Sequence, residues 1–291
     1  MEFSVAQQSV QGGRDYNEDR TAVYQRKDAL LMIVADGLGG HAGGAIASQA
    51  FIDALGASFA KATSEQLEDA DNFLSLSINY AHHMIHRRAA TQGFDPDSPK
   101  TTCVVCLIYH GVAQWAHAGD SRLYLIRDQK IVSQTKDHVS HRENSSNGPI
   151  NRCVGGEESP KPAVSSRYHV DEGDIIVLAT DGAWYGFKTA DLHDYIDPQH
   201  PSQGLDTLLQ TLENRNKAPS DNLSMVILFC GVEQLDRPAE YDARAKPTGS
   251  PLSNVGSKLQ SEISVADFDI DELDSTIVEI ESFISDLDRK L

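Results

Sequence analysis

The chain of 291 residues has little cysteine, few basic residues and no long apolar run. Four cysteines are too few for a disulfide scaffold. The 25 Lys and Arg residues against 43 Asp and Glu residues give a net charge of −18, which argues against the basic stripes that bind nucleic acid or anionic lipid. No apolar run can span a bilayer, and the N-terminus has no signal-peptide pattern, so we expect a cytoplasmic protein without a membrane partner.

Two of the cysteines, Cys103 and Cys106, form a C-x-x-C pattern. They lie in the apolar, β-branched run Thr101–Tyr109, which predicts a buried strand. Positions three apart on a strand point to opposite faces, which disfavours both a zinc site and a redox pair. We therefore predict that both cysteines are core residues.

Residues 1–235 alternate short strand-like runs with helical patterns, and we predict that they form one domain. Helical spacing covers residues 42–60, residues 64–91 and a stretch after Pro201. Strands in sequential runs, with helices paired between them, favour an α+β fold of packed antiparallel sheets covered by helices. The strand-like runs are 2–8, 20–25, 30–35, 101–109, 112–118, 122–127, 175–180 and 223–229.

The last 56 residues differ in composition from this domain. Residues 236–260 are rich in Pro, Gly and Ser and are predicted to be a flexible linker. Residues 261–291 carry apolar side chains at alternating spacings of three and four, the heptad pattern of an amphipathic helix. These apolar positions are Ile263, Ala266, Ile270, Leu273, Ile277, Ile280, Ile284, Leu287 and Leu291.

The predicted C-terminal helix is acidic beside its apolar stripe, at Asp267, Asp274, Glu281 and Asp288. Like charges at these positions disfavour pairing of two copies. A basic helix or groove on another protein is the favoured partner. Docking onto the chain's own catalytic domain and homodimer formation remain open.

Acidic residues recur beside glycine at the ends of the predicted strands. Asp36, Asp120 and Asp181 each follow an apolar run, and Asp221 immediately precedes one. If these strands share a sandwich, the carboxylates converge at one rim, where they repel each other unless cations are bound. Oxygen ligands with no cysteine and little histidine select Mg²⁺ or Mn²⁺.

Six motifs then occur in order: R-x-x-N-E-D, D-G-x-G-G-H, G-D-S-R, D-H-x-S, A-T-D-G and S-D-N. Together they resemble the metal-dependent protein phosphatase family, protein phosphatase 2C-like, in its bacterial form, over about residues 1–232. The resemblance implies a central antiparallel β-sandwich flanked by helix pairs. It also implies a two-metal centre that hydrolyses phosphoserine and phosphothreonine in proteins.

The resemblance also implies a role for each matching residue. Arg14 would grip the substrate phosphate, and His41 would protonate the leaving group. Two ions of Mn²⁺ or Mg²⁺ would activate the attacking water. The implied ligands are Asp36 bridging both ions, Gly37 through its carbonyl on the first, Asp181 and Asp221 on the second, Glu18 and Asp19 directly or through water, and Asp120 on a third, weaker ion.

Two departures from the family pattern stand out. Tyr185 occupies a position where the family often has an aspartate for the third ion, so occupancy of that site is doubtful. The segment 141–150 is shorter than the flap usual in bacterial relatives, which predicts a more open site.

The expected partners are phosphoprotein substrates, together with a cognate Ser/Thr kinase or a partner-switch protein of bacterial signalling. Two other functions remain open. The domain could bind phosphoproteins without turnover, although the intact Asp36, Asp181 and Asp221 argue against this. It could also be a scaffold that is recruited through the C-terminal helix.

Overall fold

The computed structural model describes residues 2–38, 42–140, 148–216 and 220–235. Its strands are β1 Phe3–Val10, β2 Arg20–Gln25, β3 Ala29–Ala35, β4 Gly37–Leu38, β5 Lys100–Thr101, β6 Cys103–Tyr109, β7 Val112–Ala118, β8 Arg122–Arg127, β9 Lys130–Gln134, β10 Val154–Gly155, β11 Ala163–Val164, β12 Tyr168–His169, β13 Ile175–Ala179 and β14 Leu223–Cys230. Its helices are α1 Ala42–Lys61, α2 Ser64–Glu68, α3 Ala70–Thr91, α4 Asp181–Trp184, α5 Thr189–Tyr195 and α6 Pro201–Arg215. The predicted linker and heptad helix lie outside the described residues.

Two antiparallel sheets form the centre of the fold. One has the order β1-β14-β13-β8-β9, and the other has the order β11-β7-β6-β3-β2 with β12 also paired to β7. A short third sheet, β10-β5-β4, continues from the second one beside the end of β3. The expected sandwich of antiparallel strands is therefore confirmed.

The sandwich core is filled by apolar side chains that alternate along the strands of both sheets. Val34 and Trp115 come from one sheet, and Leu125 and Val226 from the other. Cys106 belongs to this core, and Cys103 is also fully buried. Burial raises the pKa of the Cys103 thiol to about 12, so both cysteines are inert core residues, as their spacing predicts.

Helices cover the outer faces of both sheets. The long helices α1 and α3 pack against each other and on the β2 to β7 side. On the other side, α6 buries an apolar stripe at Leu205, Leu208, Leu209 and Leu212, which packs with outward side chains of β13 and β14. The predicted helix pairs on a sandwich are thus confirmed. In the described part of the chain, no helix is both long and apolar enough to cross a membrane.

The helix predicted over residues 64–91 is divided into two. Thr63 begins α2 with a capping box, in which its hydroxyl accepts from the Gln66 N–H and the Gln66 side chain accepts from the Thr63 N–H. Asp69, with φ −91° and ψ 62°, ends α2 and precedes α3. Helical spacing of apolar residues continues across this break, and for that reason the sequence pattern missed it.

Strand direction brings the predicted site residues to one rim of the sandwich. Strands β3 and β7 both pair antiparallel with β6, so their C-terminal ends lie at the same edge. The start of β2 joins that edge because Arg20 pairs with Ala35. In the other sheet, β13 ends where β14 begins. The residues just beyond these strand ends are Asp19, Asp36, Asp120, Asp181 and Asp221.

Candidate metal centre

The backbone of Asp36 is fixed by the two threonines before β6. Its N–H donates to Thr102 Oγ1 at 3.2 Å, and its carbonyl accepts from the Thr102 N–H at 2.8 Å and from Thr101 Oγ1 at 2.9 Å. The next residue, Gly37, lies so close to Gly44 of α1 that a Cβ would collide with the backbone there. A glycine is therefore required at this position.

A hydrogen bond to the Asp19 side chain connects the start of β2 to the end of β13. Its carboxylate is buried and accepts a hydrogen bond from Thr180 Oγ1 at 2.9 Å. The same hydroxyl oxygen accepts from the Ser224 N–H at 3.0 Å. Thr180, in the A-T-D-G motif, immediately precedes Asp181 in the sequence and positions the Asp19 carboxylate. The sequence analysis did not identify it as a site residue.

Asn222 fastens the N-terminal loop beside Asp221. Its amide nitrogen donates to the carbonyls of Gln11 at 2.7 Å and Tyr16 at 2.9 Å, while its oxygen accepts from the Glu18 N–H at 2.9 Å. The same loop carries Arg14, whose guanidinium forms an ion pair with Asp221 at 2.6 Å. Both side chains of this pair are partly open to solvent, at 58% and 38% exposure.

The carboxylates share one electrostatic environment. Burial, followed by the charges of the other four aspartates, raises the pKa of Asp36 well above its ordinary value. Burial raises the pKa of Asp19 to about 7 and that of Asp120 to about 6, and in both cases repulsion from Asp181 adds to the effect. The same aspartates raise the pKa of Arg14. Asp221 has the largest effect, followed by Asp181 and Asp36.

The cluster is short of positive charge, and its atoms suit a divalent metal. Asp120 Oδ1 is buried and accepts no hydrogen bond from the described residues. The donor set consists of carboxylate and carbonyl oxygens, which are the ligands that Mg²⁺ and Mn²⁺ prefer. Within residues 2–38, 42–140, 148–216 and 220–235, however, no three acidic, His or Cys side chains are close enough to form a closed ligand group. The geometry therefore shows a shared charge cluster rather than an assembled coordination shell.

This shortage of positive charge predicts how the stability of the metal-free protein depends on pH. The pKa of Asp19 rises from 3.8 when unfolded to about 7 when folded. The stabilising contribution of this group is therefore full below pH 4 and is lost as the pH rises through 7. We expect chelator-treated protein to be less stable to urea at pH 8 than at pH 5, by on the order of 2 kcal/mol from such a group. Saturating Mn²⁺ should restore more stability at pH 8 than at pH 5. A metal-free protein that is more stable at pH 8 would contradict this electrostatic account.

Arg122 links two of the six motifs to the segment that begins at Asp181. Its Nε and Nη2 donate to the two carboxylate oxygens of Asp137, both at 2.8 Å. Its guanidinium carbon lies 3.3 Å from the ring centroid of Trp184, and the Trp184 indole N–H donates to the Asp120 carbonyl at 2.9 Å. The G-D-S-R, D-H-x-S and D-G-A-W segments are thereby held together.

We expect Arg122→Lys to destabilise the fold by about 1–3 kcal/mol, because lysine keeps the charge but loses the paired hydrogen bonds and the planar stack. Urea unfolding of the two single variants Arg122→Lys and Asp137→Asn, and of the double variant, measures this. The two losses should be strongly non-additive. Simple additivity would show that the Arg122–Asp137 pair is not coupled.

The structure brings together most of the predicted site residues but does not describe all of them. The five aspartates and Arg14 share one charge cluster. Glu18 and Gly37 are held beside this cluster, because Gly44 of α1 packs against each of these two residues. His41 and the first part of the shortened flap, residues 141–147, lie outside the described residues. Thr180 and Trp184 position site residues through hydrogen bonds that no sequence spacing indicates.

Comparisons with known proteins agree with this geometry. The family model for protein phosphatase 2C matches residues 8–223. Protein phosphatase PhpP of Streptococcus pneumoniae is 23% identical over 238 residues, which cover 77% of this chain and 95% of that protein. The solved S. agalactiae serine/threonine phosphatase superposes with a TM-score of 0.67 and 24% identity, covering 78% of this chain and 99% of that one.

A further solved structure is the catalytic domain of the serine/threonine protein phosphatase PstP in complex with two manganese ions. It superposes with a TM-score of 0.62 at 26% identity, over 78% of this chain and 97% of that chain. The family model spans more than half of this chain, and the six motifs and the sandwich agree with it. The chain therefore belongs to the protein phosphatase 2C family of metal-dependent protein phosphatases.

Proposed function

We propose that this protein hydrolyses phosphoserine and phosphothreonine in phosphoproteins by attack of a metal-activated water on phosphorus. The observation that carries the proposal is the charge cluster of Asp19, Asp36, Asp120, Asp181 and Asp221, with Arg14 directed into it. Family membership and the serine/threonine phosphatases among the relatives support it. We propose further that the protein reverses the action of a Ser/Thr kinase in bacterial signalling, in the reducing cytoplasm that four free cysteines suit; the relatives named as phosphatases come from bacteria.

The proposed metal ligands follow the predicted assignment. Asp36 would bridge two ions, with the Gly37 carbonyl on the first ion and Asp181 and Asp221 on the second. Asp19 and Glu18 would act directly or through water. Two bound Mn²⁺ or Mg²⁺ ions supply a water of lowered pKa and neutralise charge on the phosphate. Asp120 would serve a weaker third site, and Tyr185 contributes no carboxylate to it.

Arg14 is the proposed phosphate-binding residue. It is more than half exposed, so a phosphate can reach its guanidinium from the solvent side while Asp221 holds it from the other. Two of its N–H groups can donate to phosphate oxygens in a fixed fork. His41 is proposed to give a proton to the leaving serine or threonine oxygen.

The test is phosphate release from a phosphothreonine peptide by the full chain, with Mn²⁺ and with EDTA. The proposal predicts turnover with Mn²⁺ only, and little turnover of the matched phosphotyrosine peptide. Activity that persists in EDTA would contradict the metal mechanism. Tight peptide binding without phosphate release would identify a phosphoprotein-binding module instead.

We propose further that residues 236–260 link the catalytic domain to an acidic heptad helix over residues 261–291, which binds a basic helix or groove on a partner. The support is the sequence pattern alone, an apolar stripe in a segment with excess acidic residues. Ile277→Asp in the full chain should abolish partner binding and leave hydrolysis of a small aryl phosphate unchanged. Loss of that hydrolysis would show that the segment belongs to the catalytic fold.

A further inference from the structure

Two exposed tyrosines lie at the rim of the candidate metal centre. Tyr185, four residues after Asp181, is 71% exposed, and Tyr16, two residues after Arg14, is 50% exposed. In the described part of the chain, Tyr185 is the most exposed of the large apolar side chains, and the other exposed large aromatic residue is Tyr16. A single exposed aromatic residue needs no explanation, but two on the segments that carry the site suggest a contact surface.

The backbone of Tyr185 is held in place by hydrogen bonds and by the packing of its neighbour Trp184. Its N–H donates to the Asp181 carbonyl at 3.1 Å, which continues the turn of α4. The preceding residue, Trp184, is held by its hydrogen bond to Asp120 and by the Arg122 guanidinium stacked on its ring. The tyrosine ring is therefore presented from a fixed backbone position, which reduces the entropy lost when a ligand packs on it.

The chain segments that carry the two tyrosines both contact Asn222. The Asn222 amide donates to the Tyr16 carbonyl, and Gly182 of α4 packs directly against the Asn222 carbonyl. Asp221, the residue before Asn222, is the ion-pair partner of Arg14. The two tyrosines thus lie on two chain segments that meet at Asn222, one residue after the ion-pair partner of Arg14.

We propose that the Tyr185 ring, with Tyr16 as a second contact, binds the side chains that flank the phosphoresidue and favours protein substrates with aliphatic side chains there. This inference rests on the proposed phosphatase function. A phosphate held by Arg14 places the neighbouring residues of its chain at this rim, where the rings offer apolar surface.

The experiment uses the full chain with Mn²⁺ and two capped peptides, Gly-phosphothreonine-Gly and Leu-phosphothreonine-Leu. We expect Tyr185→Ala to raise KM for the leucine peptide by about five- to tenfold, as loss of one aromatic contact does, with kcat within about twofold. The glycine peptide should change by less than about twofold. Tyr185→Phe should behave as the wild type, and Leu76→Ala, an exposed apolar residue on α3, is the matched control.

Each result decides between the alternatives. An equal loss on both peptides would assign Tyr185 a structural role and overturn the inference, as would unchanged KM for the leucine peptide. Wild-type protein that is inactive on both peptides would overturn the proposed phosphatase function itself. Wild-type activity on both, with a KM effect confined to the leucine peptide, supports the function and the inference together.

Discussion

Asp36→Asn is expected to lower Mn²⁺-dependent phosphatase activity by at least about a thousandfold. The substitution keeps the shape of the side chain and removes its charge from the position proposed to bridge both ions. The backbone of residue 36 is held by Thr101 and Thr102, and these hydrogen bonds do not involve the carboxylate. The fold should therefore survive while the site loses its central ligand.

The stability of the same variant gives a second test, which distinguishes loss of a metal ligand from a folding defect. Asp36 and its neighbours raise one another's pKa, so removing one charge relieves repulsion in the metal-free state. Chelator-treated Asp36→Asn should be at least as stable to urea as the wild type at pH 8, and Mn²⁺ should stabilise it much less. Asp206→Asn, an exposed residue on α6, is the control with unchanged activity. Full activity of Asp36→Asn would refute the proposed ligand set.

Arg14→Ala is expected to lower kcat/KM for a phosphothreonine peptide by about a hundredfold, with Arg14→Lys intermediate. Alanine removes both the charge and the fork of donors that would bind the phosphate. Lysine keeps the charge without the paired geometry. Steady-state kinetics at saturating Mn²⁺ measure both variants, so that altered metal affinity does not contribute.

Control experiments separate phosphate binding from general charge effects. Arg167→Ala removes another exposed arginine, which donates to the Glu68 carbonyl, and should leave kcat/KM within about twofold of wild type. Inhibition by free phosphate should weaken in Arg14→Ala and remain unchanged in Arg167→Ala. If Arg14→Ala keeps wild-type phosphate inhibition and kcat/KM, Arg14 is only a counter-ion of Asp221.

The strand-end position of the carboxylates could be predicted because it depends on local pattern. An apolar run followed by Asp-Gly marks both a strand and its end, and antiparallel pairing then brings such ends to one edge. The β-sandwich and its flanking helix pairs were predicted from the resemblance of six ordered motifs to the protein phosphatase 2C family. Individual strands were predictable where they are apolar, whereas the polar edge strand β9 has too weak an alternation to be identified.

The supporting contacts could not be predicted, because they join residues far apart in sequence. Thr180 meets Asp19 across 161 positions, and Asn222 meets Glu18 across 204. The Arg122 stack on Trp184 depends on how two loops lie over the rim. Such contacts follow from the packing of the two sheets, and no spacing within one segment encodes them.

The most direct test of the metal-centre account is calorimetric titration of the chelator-treated full chain with Mn²⁺ at pH 7.5, followed in parallel by phosphothreonine-peptide hydrolysis. The account predicts binding of two ions per chain, release of a proton chiefly from Asp36, whose pKa is raised well above its ordinary value by burial and neighbouring charges, and activity that appears as the second ion binds. Absence of Mn²⁺ binding, or full activity before any ion is bound, would contradict it.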